Sequence, residues 1–253
     1  GRVSPVQQRQ MTSVIADGAN AVSVKGDFDD CQALVKALFN DLEFRDEVNL
    51  SAVNSINWAR LMPQIVYYFS SALAIGSPDR KVAFSVPTGN FGNVFAGYAA
   101  VQMGLPVERL IVASNQNDIL PRFFEAGTMV RENVKPSLSP SMDIQVSSNF
   151  ERLLFELLGR DGAETKSIMD RFAASGQFTL DARAMAQAQS LFSAYRLDDA
   201  STISEIASTA KNDGMVLDPH SAVGLSAARR ARADGTIAAG IPIISLACAH
   251  PAK

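Results

Sequence analysis

VAFSVPTGNFGNVFAGYAAVQMG, residues 82–104, contains the turn that decides the fold. The apolar run into Pro87 reads as a buried strand. Gly89-Asn90-Phe91-Gly92-Asn93 reads as a sharp turn, and the small-residue pattern after it as a helix. A strand that passes directly into a helix leaves several N–H groups unpaired. It also aims the positive end of the helix dipole at whatever lies ahead, which suits an anion, most often a phosphate. The plain alternative is a connecting turn in which Gly and Asn merely tolerate positive φ. The spacing is neither GxGxxG nor GxxxxGK, so it does not name the phosphate. Thr88, the two glycines and the two amides nonetheless make a dense set of donors.

Outward from this turn, the pattern alternates. RLIVAS (109–114) and IPIISLA (241–247) read as further buried strands, DIQVSS (143–148) as a short strand, and ANAVSVKG (19–26) as another. DFDDCQALVKALFNDLEF predicts a helix with Cys31, Leu34, Val35, Leu38 and Leu42 on one face. INWARLMPQIVYYFSSALAIG predicts a buried helix, kinked by Pro63 unless it begins only near Leu61. DILPRFFEAG and NFERLLFELLG predict helices, the second with Asn149 as N-cap, and VKPSLSPSM (134–142) a loop. Further helices are expected at 164–174, 181–194, 200–213 and 221–233. Strands apolar on both faces and alternating with helices imply an α/β fold, with a parallel sheet covered by helices on both sides. Ligands of such sheets bind beyond the carboxyl ends of the strands, where the glycine turn lies.

Composition excludes several functions. A net charge of −3 with no basic stripe argues against nucleic acid as a partner. No apolar run reaches the roughly 18 residues of a membrane span, and there is no signal-peptide layout. Cys31 and Cys248 stand far apart without metal-ligand spacing, which fits a reducing cytoplasm. The abrupt first residues and a last strand with nothing after it suggest a piece truncated at both ends.

NSINWAR (54–60) sets Asn54, Ser55, Asn57 and Arg60 at a helix start. This is either a second anion pocket with a bidentate guanidinium or a capped helix with an exposed arginine. The only histidines, His220 in DPHSAVG and His250 in ACAHPAK, lack a carboxylate or thiol at metal spacing on a shared helix. His220 reads as part of a helix start, with a catalytic role left open.

GDFDDCQALVK, NSINWARL, SVPTGNFGN, NDILPRF, SPSMDI, SSNFERLLFEL, DPHSAVG and AHPAK together closely resemble the threonine synthase family in its bacterial and fungal branch. The resemblance covers nearly the whole chain and is weakest over 160–213. It implies a fold-type II pyridoxal-phosphate enzyme, similar to the tryptophan synthase β chain. Residues 1–53 would belong to a smaller α/β domain. Residues 54–253 would form a larger cofactor-binding domain with a helical insertion at about 160–213.

The resemblance implies that Gly89, Asn90, Phe91, Gly92 and Asn93 hold the phosphate of pyridoxal 5'-phosphate. Asn54, Ser55 and Arg60 would hold that of O-phospho-L-homoserine, which the family converts with water to L-threonine and phosphate. Cys248 stands where the family has a threonine bonded to the pyridine nitrogen, and a thiol is the weaker partner. The family's Schiff-base lysine lies in a Ser-Phe-Lys-Asp motif. None of Lys25, Lys36, Lys81, Lys135, Lys166, Lys211 and Lys253 has that context, so no catalytic residue is expected in this chain and the chain alone is expected to be inactive. The parent protein is expected to be cytoplasmic and monomeric or weakly dimeric. Competing readings are another fold-type II lyase, such as a serine or threonine dehydratase or a cystathionine synthase, and a non-catalytic relative that only binds the cofactor or a phospho-ligand.

Overall fold

The computed structural model describes residues 5–14, 16–26, 28–51 and 57–251. The chain divides into two compact units, residues 1–52 with 250–253, and residues 53–249. In the first unit the described elements are helices α1 (Pro5–Thr12), α2 (Phe28–Asn40) and α3 (Leu42–Glu47). The expected single helix over residues 27–44 is broken at Asp41. Its carboxylate accepts the Phe44 N–H at 3.1 Å, so it caps a new helix instead of continuing the old one. The expected face is also exposed at Leu34, Leu38 and Leu42. The expected strand at 19–26 is irregular chain. A strand needs a ladder partner, and the described residues of this unit offer only helices.

The second unit runs α4 (Trp58–Ala74), β1 (Val82–Pro87), α5 (Gly92–Gln102), β2 (Val107–Ser114), α6 (Ile119–Ala126) and β3 (Thr128–Val130). A 3-10 turn (Pro140–Met142) precedes α7 (Phe150–Leu157), α8 (Gly162–Ser175) and β4 (Gln177–Thr179). Then come α9 (Ala182–Leu191), β5 (Phe192–Arg196), α10 (Asp199–Asp213), α11 (Pro219–Ala233) and β6 (Ile243–Ser245). The main sheet has the order β5-β2-β1-β6, all parallel, and β3 and β4 form a separate antiparallel pair. Every residue of β1 is buried because the strand is covered on both faces. Val82, Phe84 and Val86 enter the core shared with α4 to α7 and α9, while Ala83 faces Val223, Ala227 and Ala231 of α11. That second layer is thin and close. A Cβ on Gly224 would stand 2.9 Å from the Pro87 ring, and the Ser85 hydroxyl donates to the Gly224 carbonyl at 2.6 Å. Only glycine allows α11 to lie so near.

Four expectations for this unit need correction. The stretch 160–213 is not wholly helical, because the expected helix 181–194 stops at Leu191 and Phe192–Arg196 pairs with β2 as the sheet's edge strand. That pairing buries Phe192, so the ladder and core contact override helix propensity. DIQVSS is not a strand, since its side chains bond neighbouring loops and leave no ladder. Helix α4 begins at Trp58, so Pro63 lies inside it, and the helix is not buried as a whole. Leu61, Tyr68 and Ala72 face the core while Trp58, Met62, Val66, Tyr67 and Leu73 are exposed. Strand β6 is half-buried, as befits a sheet edge.

Candidate active site

The carboxyl ends of β1, β2 and β6 open onto the turn between β1 and α5. Phe91 caps α5 in the left-handed conformation, φ 58°, with no side-chain cap. An aromatic residue is strained there. Its ring is held in a cluster with Phe124, Phe150 and Phe192 at centroid distances of 6.4, 5.3 and 6.0 Å. The positive φ thus falls on Phe91 and on neither glycine of the turn, and no residue pattern signals it. Gly89 is required for space. A Cβ there would lie 2.8 Å from the Ser141 carbonyl oxygen and 3.2 Å from Met142 Cα, both main-chain atoms.

Outside groups hold the turn by its carbonyls. The Gly89 carbonyl accepts from the Ser147 hydroxyl at 2.7 Å. The Asn90 carbonyl accepts from the Asn149 amide at 3.1 Å and from its side-chain Nδ2 at 2.9 Å. Asn149 occupies the N-cap position of α7, yet its side chain makes no cap bond, because its Oδ1 accepts from Arg152 Nε at 3.0 Å while its Nδ2 serves this contact. The Tyr68 hydroxyl donates to the Asn93 carbonyl and side-chain Oδ1, at 2.9 and 3.0 Å. Burial, and secondarily Cys248, pushes the Tyr68 phenol well above its ordinary pKa, which keeps it a donor. Thr88, read from the sequence as a free donor, is committed internally. Its N–H goes to the Ala113 carbonyl at 2.8 Å and its hydroxyl to the Val86 carbonyl at 2.6 Å.

The amides of the turn are left open. Among the described residues, none accepts from the N–H of Gly92, Asn93 or Val94 at the start of α5. The Asn90 side-chain oxygen is buried with no partner among the described residues. A turn with fixed carbonyls, open amides at a helix N-terminus and an unpaired buried amide oxygen can cradle a phosphate while a polar group of the same ligand meets Asn90.

The wall beside Gly89 is the loop 135–143. Asp143 anchors it, accepting at Oδ1 from Asn115 Nδ2 (2.7 Å), Asn117 Nδ2 (3.0 Å) and the Ser137 hydroxyl (2.5 Å). Its Oδ2 accepts the Ser137 N–H at 2.9 Å. Asp143→Ala leaves four donors without this carboxylate. It is expected to lower unfolding free energy by about 2–3 kcal/mol, read by urea denaturation. A loss within about 0.5 kcal/mol would show that the loop is held by other means.

Cys248 follows β6 with its thiol exposed, its N–H donating to the Ser221 hydroxyl at 3.1 Å. Ser221, His220 and Asp218 form a buried cluster at the start of α11. His220 Nδ1 bonds Asp218 Oδ1 at 2.9 Å, and its Nε2 accepts the Ser141 N–H at 3.3 Å. The open question about His220 is thereby narrowed to a buried bridging group whose two ring nitrogens are both engaged. Arg60 lies on the exposed first turn of α4, and the cap residue Asn57 accepts from Ala59 N–H at 2.9 Å. Asn54 and Ser55 lie outside the described residues. Of the lysines, Lys81 precedes β1 at the opposite, amino end of the sheet and pairs with Glu108 at 3.0 Å. Lys166 pairs with Asp170 on α8, and Lys211 sits in the last turn of α10. No group of three His, Cys, Asp or Glu able to hold a metal occurs among the described residues, and none of their helices is long and apolar enough to cross a membrane.

The profile of the family described as pyridoxal-phosphate dependent enzyme matches residues 3–249. A threonine synthase of Pseudomonas aeruginosa is 51% identical over 252 residues, covering 100% of this chain and 53% of the relative. The crystal structure of a PLP-bound threonine synthase from Brucella melitensis superposes with a TM-score of 0.89 at 54% identity, covering 100% of this chain and 53% of that one. The yeast threonine synthase structure gives 0.86 at 41% identity, with 100% and 52% covered. The chain therefore spans about half the length of the relatives it matches.

Proposed function

The chain belongs to the pyridoxal-phosphate-dependent enzymes, and from that premise we propose that it is about half of a threonine synthase. The complete protein would convert O-phospho-L-homoserine and water to L-threonine and phosphate. The observation that carries this reading is the turn at Gly89–Asn93, with its open amides and no room for a side chain at Gly89. Identity of 51% to a bacterial threonine synthase along the whole chain supports it.

When bound, pyridoxal phosphate would supply the electron sink on which carbanion chemistry at the amino acid depends. The residues of this chain would do the rest of the holding. Gly89, Asn90, Phe91, Gly92 and Asn93 bind the cofactor's phosphate, mainly through main-chain N–H groups. Cys248 faces the ring nitrogen, with a thiol in place of a stronger hydroxyl. Asn54, Ser55 and Arg60 bind the substrate's phosphate and neutralise its charge as it leaves, which lowers the barrier to its loss. The catalytic lysine lies outside this chain. Residues 54–253 would form the larger, cofactor-binding domain and residues 1–53 the remainder of the smaller one.

The test is phosphate release from O-phospho-L-homoserine by the complete protein, with threonine identified by chromatography. Serine, threonine and activated homoserine plus cysteine serve as competing substrates. Stoichiometric phosphate and threonine are expected. Release of ammonia from serine or threonine without phosphate turnover would make it a dehydratase, and formation of cystathionine a synthase of that kind. Tight cofactor binding with no turnover of any of these would leave a binding protein.

A further inference from the structure

We propose that Asp218 is a positioning residue that aligns both ends of the cofactor cavity from one buried carboxylate. This rests on the cofactor reading above, in which the Gly89 turn holds the phosphate and Cys248 meets the ring. Asp218 caps α11, accepting the N–H groups of His220 and Ser221 at 2.9 and 3.3 Å. An ordinary cap ends there. This one is only 1% exposed and takes two side chains as well, the His220 ring at Nδ1 and the Ser221 hydroxyl.

Each of those groups passes the orientation on. A backbone N–H can only donate, so the Ser141 contact makes His220 Nε2 the acceptor, and Nδ1 carries the proton given to Asp218. Ser141 is thereby fixed with its carbonyl against the space a Gly89 side chain would need. On the other arm, the Ser221 hydroxyl gives its one proton to Asp218. Its lone pair is left to accept the Cys248 N–H. One carboxylate thus sets the direction of two hydrogen-bond chains. One ends at the phosphate turn and the other at the residue facing the ring.

The two arms predict separable effects in the complete, cofactor-loaded protein. His220→Ala is expected to weaken cofactor binding about tenfold and to move the phosphorus NMR resonance of the bound phosphate, with the visible absorption band unchanged. Ser221→Ala is expected to move the visible band and leave the phosphorus resonance in place, and Ser221→Thr, which keeps the hydroxyl, to restore the band. Asp218→Asn, equal in size and still able to cap the helix, is expected to show both changes. If all three variants lose thermal stability alike while resonance and band stay at wild-type positions, Asp218 is only a helix cap and the proposal is overturned. It is also overturned if His220→Ala and Ser221→Ala give the same spectroscopic change. A wild-type protein with neither a cofactor band nor a bound-phosphate resonance would instead bring down the cofactor reading itself, and this inference with it.

Discussion

Gly89→Ala in the complete protein is expected to weaken pyridoxal phosphate binding at least tenfold, or about 1.4 kcal/mol. The added methyl would stand 2.8 Å from the Ser141 carbonyl oxygen and 3.2 Å from Met142 Cα. Neither atom is the free end of a side chain that could swing away. The Asp143 cluster holds the loop on one side and His220 holds the Ser141 amide on the other. The turn must therefore shift, and its amides lose their aim at the phosphate. Gly240→Ala is the matched control. Its Cβ meets nothing within 4 Å and its φ is not positive, so affinity should not change. Equilibrium dialysis that finds Gly89→Ala equal to wild type would remove this turn from the cofactor site.

Arg60→Ala is expected to cost kcat/KM for O-phospho-L-homoserine by about 2–5 kcal/mol, the loss of a charge-assisted pair, if bound substrate desolvates the site. Cofactor affinity should hold, because the turn at Gly89–Asn93 is made by residues that do not include Arg60. Arg60→Lys should recover only part of the rate, since an ammonium cannot grip a phosphate bidentately. Arg60 is exposed on the first turn of α4, so an undiminished rate in Arg60→Ala would return it to the plain reading of a surface arginine on a capped helix. Loss of cofactor with an unchanged KM would mean that the two phosphate pockets are exchanged.

Much of the parallel sheet was legible in the sequence. The strands 82–87 and 107–114 run largely as apolar residues because both faces of the central strands are covered, and such a run has few other readings. The turn was legible too, because glycine and asparagine placed between a strand and a small-residue helix announce a close approach. The family followed from the order of short segments such as SVPTGNFGN and DPHSAVG. The helices expected at 164–174 and 221–233 are present but start two residues earlier, because Asp161 and Asp218 bond their own first amides.

What failed depended on partners far away in the chain. Nothing near Phe192 says that β2 has an open edge waiting for it, and 19–26 looks like a strand although no described residue pairs with it. Asn149 has the sequence of a helix cap, but its Oδ1 accepts from Arg152 Nε and its Nδ2 donates to the Asn90 carbonyl, 59 positions away. Phe91 takes a backbone conformation its residue type disfavours because an aromatic cluster built from three other elements holds its ring. The sequence by itself thus determined three strands of the main sheet, the turn and the kinship, since local pattern and chain order carry those. Only the tertiary structure decided which amides of the turn stay open and which groups are already satisfied. A hydrogen bond is a property of a pair, and here most of the partners are distant in sequence.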